Sequence, residues 1–402
     1  MEIGIIREGK VPPDKRVPFT PSQCAHILEL HPEISITVQP SAIRAFTDGE
    51  YAAAGIRMDE DLSHCDVLFG VKEVPVDMLI PGKTYFFFSH TYKEQPYNRA
   101  LLKAILDRQI RLVDYELLKD SDGQRIIGFG RYAGIVGAYS GMKGWGMLTG
   151  AYDIKSAHEC EDMEEMLDEM DQIRLPSGFK LVMTGKGRVG RGAEEIIQRL
   201  AIRELNPEIF LAYAGEEPVF TILGTEDYNR HKDGRRWDKA LFYSRPEEYD
   251  SDFMRFAKEA DMYIPCHYWD SAAPQILTAE DLRHPELRLK MISDVSMDIK
   301  EPIASTIRPS VIGDAYYAYD PFTASEVPFG TEGSIGVQAV DNLPCELPKD
   351  ASKDFGQVLM DKVLTALLGN DPEQIIHRAS QTTPEGSLNE GFEYLEGYLA
   401  GQ

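Results

Sequence analysis

The stretch KLVMTGKGRVGRGA, residues 180–193, constrains this chain more than any other. Lys180 to Met183 reads as a strand, and Gly185, Gly187, Gly190 and Gly192 follow it as a tight turn, with helix expected from Ala193 onward. G-x-G-x-x-G between a strand and a helix lets the main chain approach a pyrophosphate, whose charge then rests on the helix N-terminus. The alternative is a purely structural turn. Lys186, Arg188 and Arg191 make the loop basic. A basic loop facing a pyrophosphate does not by itself separate NAD from NADP. The ribose-binding acid is expected at the end of the next strand, about 20 residues on. Glu204, Glu208, Glu216 and Glu217 are all near that place, and none is singled out.

A parallel α/β rhythm runs through the chain on both sides of this turn. EIGIIR, ISITVQP, CDVLFGVK, KTYFFFSHT and IRLVDYELL read as strands, with helices over SQCAHILELH and NRALLKAILDRQ. Strands alternating with helices imply a doubly wound sheet. Four prolines make residues 8–21 irregular, because proline fixes φ and cannot sit inside a helix. Residues 128–153 hold eight glycines, suited to a closely packed helix, and the chain is expected to cross into a second domain near residue 133. Residues 159–171 carry eight acids around Met163, Met166, Leu167 and Met170, the pattern of a solvated helix with one buried stripe. RLKMISDVS is a strand ending on a polar tip, 215–255 reads as an insertion or lid-like loop, DFGQVLMDKVLTALLG as an amphipathic helix, and HRASQTTPEGSLNEGF as a loose surface segment.

Composition narrows the functional classes. A length of 402 residues suggests two or three domains. A net charge of −24 opposes a phosphate backbone or an anionic membrane, so no nucleic-acid or membrane partner is expected. Five scattered cysteines without CxxC spacing disfavour a disulfide framework. His64, His231, His267 and His284 have no ligand spacing, so no metal site is expected. With no apolar leader and no long apolar span, the expectation is a cytoplasmic protein.

The chemistry-bearing residues fall at strand ends, where doubly wound sheets bind ligands. Lys72 and Glu73 end one strand, His90 the next, and Glu116 a third. A lysine and a histidine on neighbouring tips can act as an acid–base pair, with a carboxylate at Glu116 orienting one of them. Arg16 and Arg125 suit bidentate carboxylate binding. Asp294 and Ser296 in SDVSMD, and the turn AVDNLP, are candidate substrate or cofactor contacts, against ordinary turn chemistry.

Taken together, DKRVPFTP, GVKEVP, FFFSHTYKEQ, RLVDYELLKDSDGQRIIGFGRYAG, FYSRPEEYDSDF, CHYWD, SDVSMD and VDNLP resemble lysine-forming saccharopine dehydrogenase. They are most similar to the lysine–2-oxoglutarate reductase half of the bifunctional plant and animal enzyme. Alanine dehydrogenase and the first transhydrogenase subunit are more distant relatives. The resemblance covers nearly the whole chain and is strongest over residues 10–135. It implies that Lys72 is a general base and His90 its acid–base partner, tuned by Glu73 and Glu116. It implies that Arg16, Gln95, Arg125 and Phe129 hold the substrate. It assigns the nucleotide to Gly187, Arg188, Tyr268, Asp294 and the turn Val340, Asp341, Asn342 and Leu343, beside Gly185, Val189 and Gly190 of the glycine turn itself.

The expected architecture is α/β, with two doubly wound Rossmann-like domains and an active-site cleft between them. A substrate domain would take residues 1–132 plus about 338–402, and a dinucleotide domain 133–337. The expected activity interconverts saccharopine with lysine and 2-oxoglutarate, using NAD or NADP. The alternative is an alanine-dehydrogenase-like amino-acid dehydrogenase with another substrate. The expected partners are these small molecules, and a homo-oligomer is compatible with the reading.

Overall fold

The computed structural model describes residues 1–369 and 371–401; Asn370 and Gln402, at the end of the expected substrate domain, lie outside the described residues. The chain divides into two compact units, Met1–Phe129 with Pro348–Gln402, and Gly130–Leu347. Residues 338–347 lie in the second unit, because the strand ending at Gln338 pairs inside its sheet.

The first unit is built on six parallel strands, β1 (Glu2–Ile5), β2 (Ser35–Val38), β3 (Arg57–Met58), β4 (Val67–Phe69), β5 (Thr84–Phe87) and β6 (Arg111–Asp114), in the order β3-β2-β1-β4-β5-β6. Helices α1 (Pro21–Leu30), α2 (Asp48–Ala53) and α3 (Arg99–Asp107) connect them. Helix α1 begins where its sequence dictates: Pro21 is its first residue, the Thr20 hydroxyl accepts from the Gln23 N–H, and the Gln23 side chain accepts from the Thr20 N–H. Ile3, Ile5, Val67, Phe69 and Phe86 are buried together in the core. The parallel register places the ends of β1, β4, β5 and β6 side by side at one edge.

Two expectations for this unit are corrected. The C-terminal segment is docked rather than loose: Ser380, Gln381 and Thr382 are buried, Leu112 N–H donates to the Thr382 hydroxyl, and Gln381 N–H donates to the Leu112 carbonyl. A polar sequence is buried here because the open edge of β6 satisfies its backbone. The amphipathic helix is longer than its apolar pattern, running from Pro348 to Leu368 with a π-helical turn at Leu359–Leu364.

In the second unit, α4 (Gly130–Thr149) accounts for the glycine-rich stretch as one 20-residue helix, and α5 (Met163–Glu169) buries Met166 from the acidic run. The sheet contains β7 (Lys180–Thr184), β8 (Arg203–Glu204), β9 (Val219–Leu223), β12 (Met262–Pro265), β13 (Met291–Ser293), β14 (Tyr316–Asp320), β15 (Ser325–Val327) and β16 (Ile335–Gln338). Its order is β15-β14-β16-β13-β12-β7-β9-β8, parallel except for the β14 and β15 edge. A separate antiparallel pair, β10 (Asn229–His231) and β11 (Tyr249–Ser251), lies beside it in sequence.

The expected insertion over 215–255 is therefore partly core. Its VFTIL segment is β9, paired along its length with β7. The helix after the glycine turn, α6 (Arg188–Arg199), starts five residues earlier than expected, so Gly190 and Gly192 are helical. Both are there for close approach. A Cβ at Gly192 would lie 2.0 Å from the Arg131 carbonyl of α4, and one at Gly134 of α4 would lie 1.9 Å from the Val189 carbonyl. Glycines on both helices let two backbones touch, which no larger residue permits.

Candidate functional site

On the first unit, the adjoining ends of β1, β4, β5 and β6 carry Glu8, Lys72 with Glu73, His90, and Glu116. His90 is in the left-handed region at φ 53°, just past β5. Its Nδ1 lies 2.6 Å from Oε1 of Glu73, and the Lys10 ammonium lies 2.6 Å from Oε2. Burial works against the Glu73 charge, yet the hydrogen bonds from His90 and Lys10 hold its carboxyl down at about 2. An ionised Glu73 accepts from Nδ1–H, which leaves Nε2 as the ring nitrogen that Glu73 does not engage.

Lys72 is half-buried, and among the described residues no acceptor engages its Nζ. Burial, then the positive charges of Arg16 and Lys10, push its ammonium below the ordinary lysine range, with Asp14 and Glu73 opposing. Its backbone is held by Glu8, whose two carboxylate oxygens accept from Val71 N–H (2.7 Å) and Lys72 N–H (2.9 Å). Burial, reinforced by Asp14, raises Glu8 to about 8.

Arg16 is almost fully buried and paired with Asp14 through Nε (3.0 Å) and Nη2 (2.6 Å). Its guanidinium lies 4.1 Å over the Phe129 ring, which stacks on Phe355. The guanidinium is thus fixed by a carboxylate at its edge and an aromatic ring over its face.

Glu116 departs from expectation. It orients neither Lys72 nor His90. It pairs with Arg125, with Lys93 at 2.9 Å, and with the Tyr92 hydroxyl at 2.7 Å. Burial opposes its charge too, but Arg125, Lys93 and Tyr92 bring it to about 2. Gln95 is half-buried and is engaged by Tyr97 and, through its carbonyl, by Tyr398. The residue-by-residue reading missed Glu8, Lys10, Asp14, Tyr92 and Lys93. Glu8 was within reach, since the strand-tip argument applies equally to β1.

On the second unit, Gly185 has φ +97°, and a Cβ there would lie 2.5 Å from the Cys266 carbonyl. A Cβ at Gly190 would lie 1.9 Å from the Gly185 carbonyl. Gly187 and Arg188 are exposed at the start of α6, and Val189 is half-buried. This bare turn at a helix N-terminus fits a dinucleotide pyrophosphate. β7 lies between β12 and β9, and the acids just past the tip of β9 are Glu226 and Asp227. Asp227 accepts from Gly224 N–H at 2.7 Å, and Lys186 of the glycine turn lies 3.7 Å from Glu226 and 3.5 Å from Asp227. The acids about 20 residues beyond the turn do not lie on the strand next to β7, because the short edge strand β8 comes first in sequence and second in space.

Tyr268 is 84% exposed beyond β12. Val340 and Leu343 are buried, so only their backbones could meet a ligand, while Asp341 is exposed and Asn342 half-buried. Asp294 and Ser296 are corrected as substrate contacts. Asp294 is fully buried, and its carboxylate accepts from Ser296 (2.6 Å), Met297 N–H (3.0 Å) and Thr306 (2.5 Å). It braces the loop after β13. Among the described residues no group of side chains could hold a metal, and no helix is long and apolar enough to cross a membrane.

Two doubly wound Rossmann-like units, one with a bare glycine turn and the other with a cluster of titratable side chains on adjacent strand tips, define an α/β protein with the fold of an alanine dehydrogenase. Residues 4–136 match the alanine dehydrogenase/PNT N-terminal domain. Along most of its length the chain is similar to proteins named alpha-aminoadipic semialdehyde synthase and saccharopine dehydrogenase. It is 31% identical to alpha-aminoadipic semialdehyde synthase of Arabidopsis thaliana, over 89% of this chain and 37% of that protein. It is 28% identical to the mitochondrial protein of that name in Mus musculus, over 95% and 46%. It is 26% identical to saccharopine dehydrogenase [NAD(+), L-lysine-forming] of Emericella nidulans, over 94% and 98%. The chain thus spans less than half of the plant and animal relatives and nearly all of the fungal one. Among solved structures, an L-alanine dehydrogenase covers 99% of the chain at TM-score 0.67 and 17% identity. A transhydrogenase from Sinorhizobium meliloti covers 97% at TM-score 0.59 and 15% identity. At those identities the likeness is one of fold.

Proposed function

We propose that this chain is a lysine-forming saccharopine dehydrogenase that uses NAD(H). The observation that carries the reading is the cluster at the strand tips: a lysine pushed towards neutrality, a histidine aligned by an ionised glutamate, and a buried arginine beside them. The names of the relatives supply the substrate class.

A nicotinamide cofactor held at the glycine turn would supply the hydride acceptor for the carbon bearing the secondary amine of saccharopine. The remaining work is proton transfer, which this cluster can do. Lys72, with its lowered pKa, takes the proton of the amine, and His90 Nε2 takes one from the water that adds to the C=N bond. His90 Nε2 returns a proton to the departing lysine nitrogen, with Glu73 stabilising the charged ring. Each such step contributes about 10²–10⁴-fold. Arg16, with Gln95, Arg125 and Phe129, holds the carboxylates and chain of the substrate. Glu226 and Asp227 favour NAD over NADP, because a 2′-phosphate at that tip would meet two carboxylates. Lys186 offsets part of that repulsion.

The test is absorbance at 340 nm with lysine and 2-oxoglutarate, offered NADH or NADPH, and with pyruvate and ammonia in parallel. Lysine-dependent oxidation of NADH is expected. Oxidation with pyruvate and ammonia alone would instead support an alanine-dehydrogenase-like enzyme, the reading that the fold neighbour favours. Lys72→Met should abolish turnover and leave nucleotide binding intact; a variant with the parent kcat would remove Lys72 from the mechanism.

A further inference from the structure

The second unit contains a cavity of about 820 Å³ to which none of the proposed nucleotide residues contributes. One wall is the later part of α4, from Ser140 to Met147. The others come from Tyr152–His158, Gly313–Tyr316, Phe329 and Glu346.

The hydrogen-bond inventory of this cavity is lopsided. Its prominent donors are spent on backbone carbonyls. The Tyr316 hydroxyl donates to Ser140 O at 2.8 Å, the Tyr152 hydroxyl to Met142 O at 2.6 Å, and Lys143 Nζ to Ile154 O. What charge Lys143 has left faces Asp153 at 3.4 Å. The acceptor is in the opposite condition. Glu346 is 4% exposed, its Oε1 has no hydrogen-bond donor, and its Oε2 is 3.6 Å from His158 Nδ1. Among the described residues no lysine or arginine pairs with it. A buried carboxylate oxygen without a donor is costly, and the soft terminal torsion of glutamate can turn either oxygen to the cavity. Asp314 adds negative charge to the lining.

What is missing is therefore a cationic donor. The space is far larger than a bare ion needs, the described residues hold no metal-type ligand cluster, and Tyr152, Tyr316 and Phe329 supply aromatic surface. We propose that this cavity binds a small organic ammonium ion, which donates from its –NH₃⁺ to Glu346 and lays its carbon chain against Tyr152, Tyr316 and Phe329. An ammonium offers three donors, and aromatic faces attract cations as well as alkyl chains. The inference stands independently of the proposed saccharopine chemistry.

Calorimetric titration of the whole chain with n-butylammonium chloride tests it, with n-butanol and potassium chloride as controls. Saturable binding of the ammonium alone is expected. Glu346→Gln keeps the shape, removes the charge and should weaken binding by about tenfold or more. Phe329→Ala, on the opposite chemistry of the same wall, should weaken it as well and serves if Glu346→Gln does not fold. Lys72→Met should leave binding unchanged, which separates this cavity from an amine site on the first unit. Absence of saturable binding, equal affinity in both wall variants, equal response to potassium, or loss of binding in Lys72→Met would each overturn the proposal.

Discussion

Glu73 holds His90 Nδ1 on one carboxylate oxygen and the Lys10 ammonium on the other, both at 2.6 Å. An imidazole and an ammonium thus converge on one carboxylate past the end of β4, and both have a charged acceptor there while that carboxylate is ionised.

This arrangement makes stability pH-dependent with a definite sign. Glu73 has a folded value of about 2 against an ordinary 4.5. Its contribution is present above the unfolded value and is lost as pH falls from about 4.5 towards 2. The magnitude is on the order of 3 kcal/mol. Urea unfolding of the parent should show this decline, and Glu73→Gln should show a smaller one. Identical pH slopes in the two proteins would refute the coupling.

Glu8 has the opposite sign. Its carboxyl is raised to about 8, chiefly by burial and then by Asp14. Ionising it in the folded state is penalised, so stability present below its unfolded value of 4.5 is lost as pH rises through about 8. Thermal melts of Glu8→Gln from pH 5 to 9 should be flatter than those of the parent. The same change should lower kcat in the proposed reaction, because only one oxygen is left to accept from Val71 and Lys72 N–H.

Gly134→Ala should be among the most damaging single substitutions. The added methyl would meet backbone at Val189 O (1.9 Å) and Ala193 N (2.6 Å), neither of which can rotate away. A loss of about 3 kcal/mol is expected in chemical denaturation, since overpacking is relieved here only by separating α4 from α6. Gly187→Ala, whose Cβ would meet nothing within 4 Å, should fold normally and serves as the control.

Glu226→Ala should shift the preference between NADPH and NADH by about tenfold towards NADPH. Losing this carboxylate leaves Lys186 less compensated beside the β9 tip. Quenching of protein fluorescence by each nucleotide measures the ratio. An unchanged ratio would remove Glu226 from cofactor choice.

Much of this was legible beforehand because strand-tip residues follow from periodicity alone. Lys72, Glu73, His90 and Glu116 sit just past apolar runs, and a parallel sheet must bring those ends to one edge. Which of them touch was not legible. Glu116 and Glu73 are equivalent in sequence terms, yet one serves Arg125, Lys93 and Tyr92 while the other serves His90 and Lys10. Asp294 looked like a ligand contact because it is a polar tip residue, but three local donors consume it.

The sequence by itself determined the kind of fold and the glycine turn, since hydrophobic period and backbone sterics are local properties. It also marked the charged residues that gather at the strand ends of the first unit. Only the tertiary structure decided that β9 rather than β8 lies beside β7, that the polar tail is buried along β6, and that Glu8 secures the Lys72 backbone. Each of these depends on pairing between segments distant in sequence. Strand order and the satisfaction of buried polar groups are properties of the whole packed chain, and no local pattern carries them.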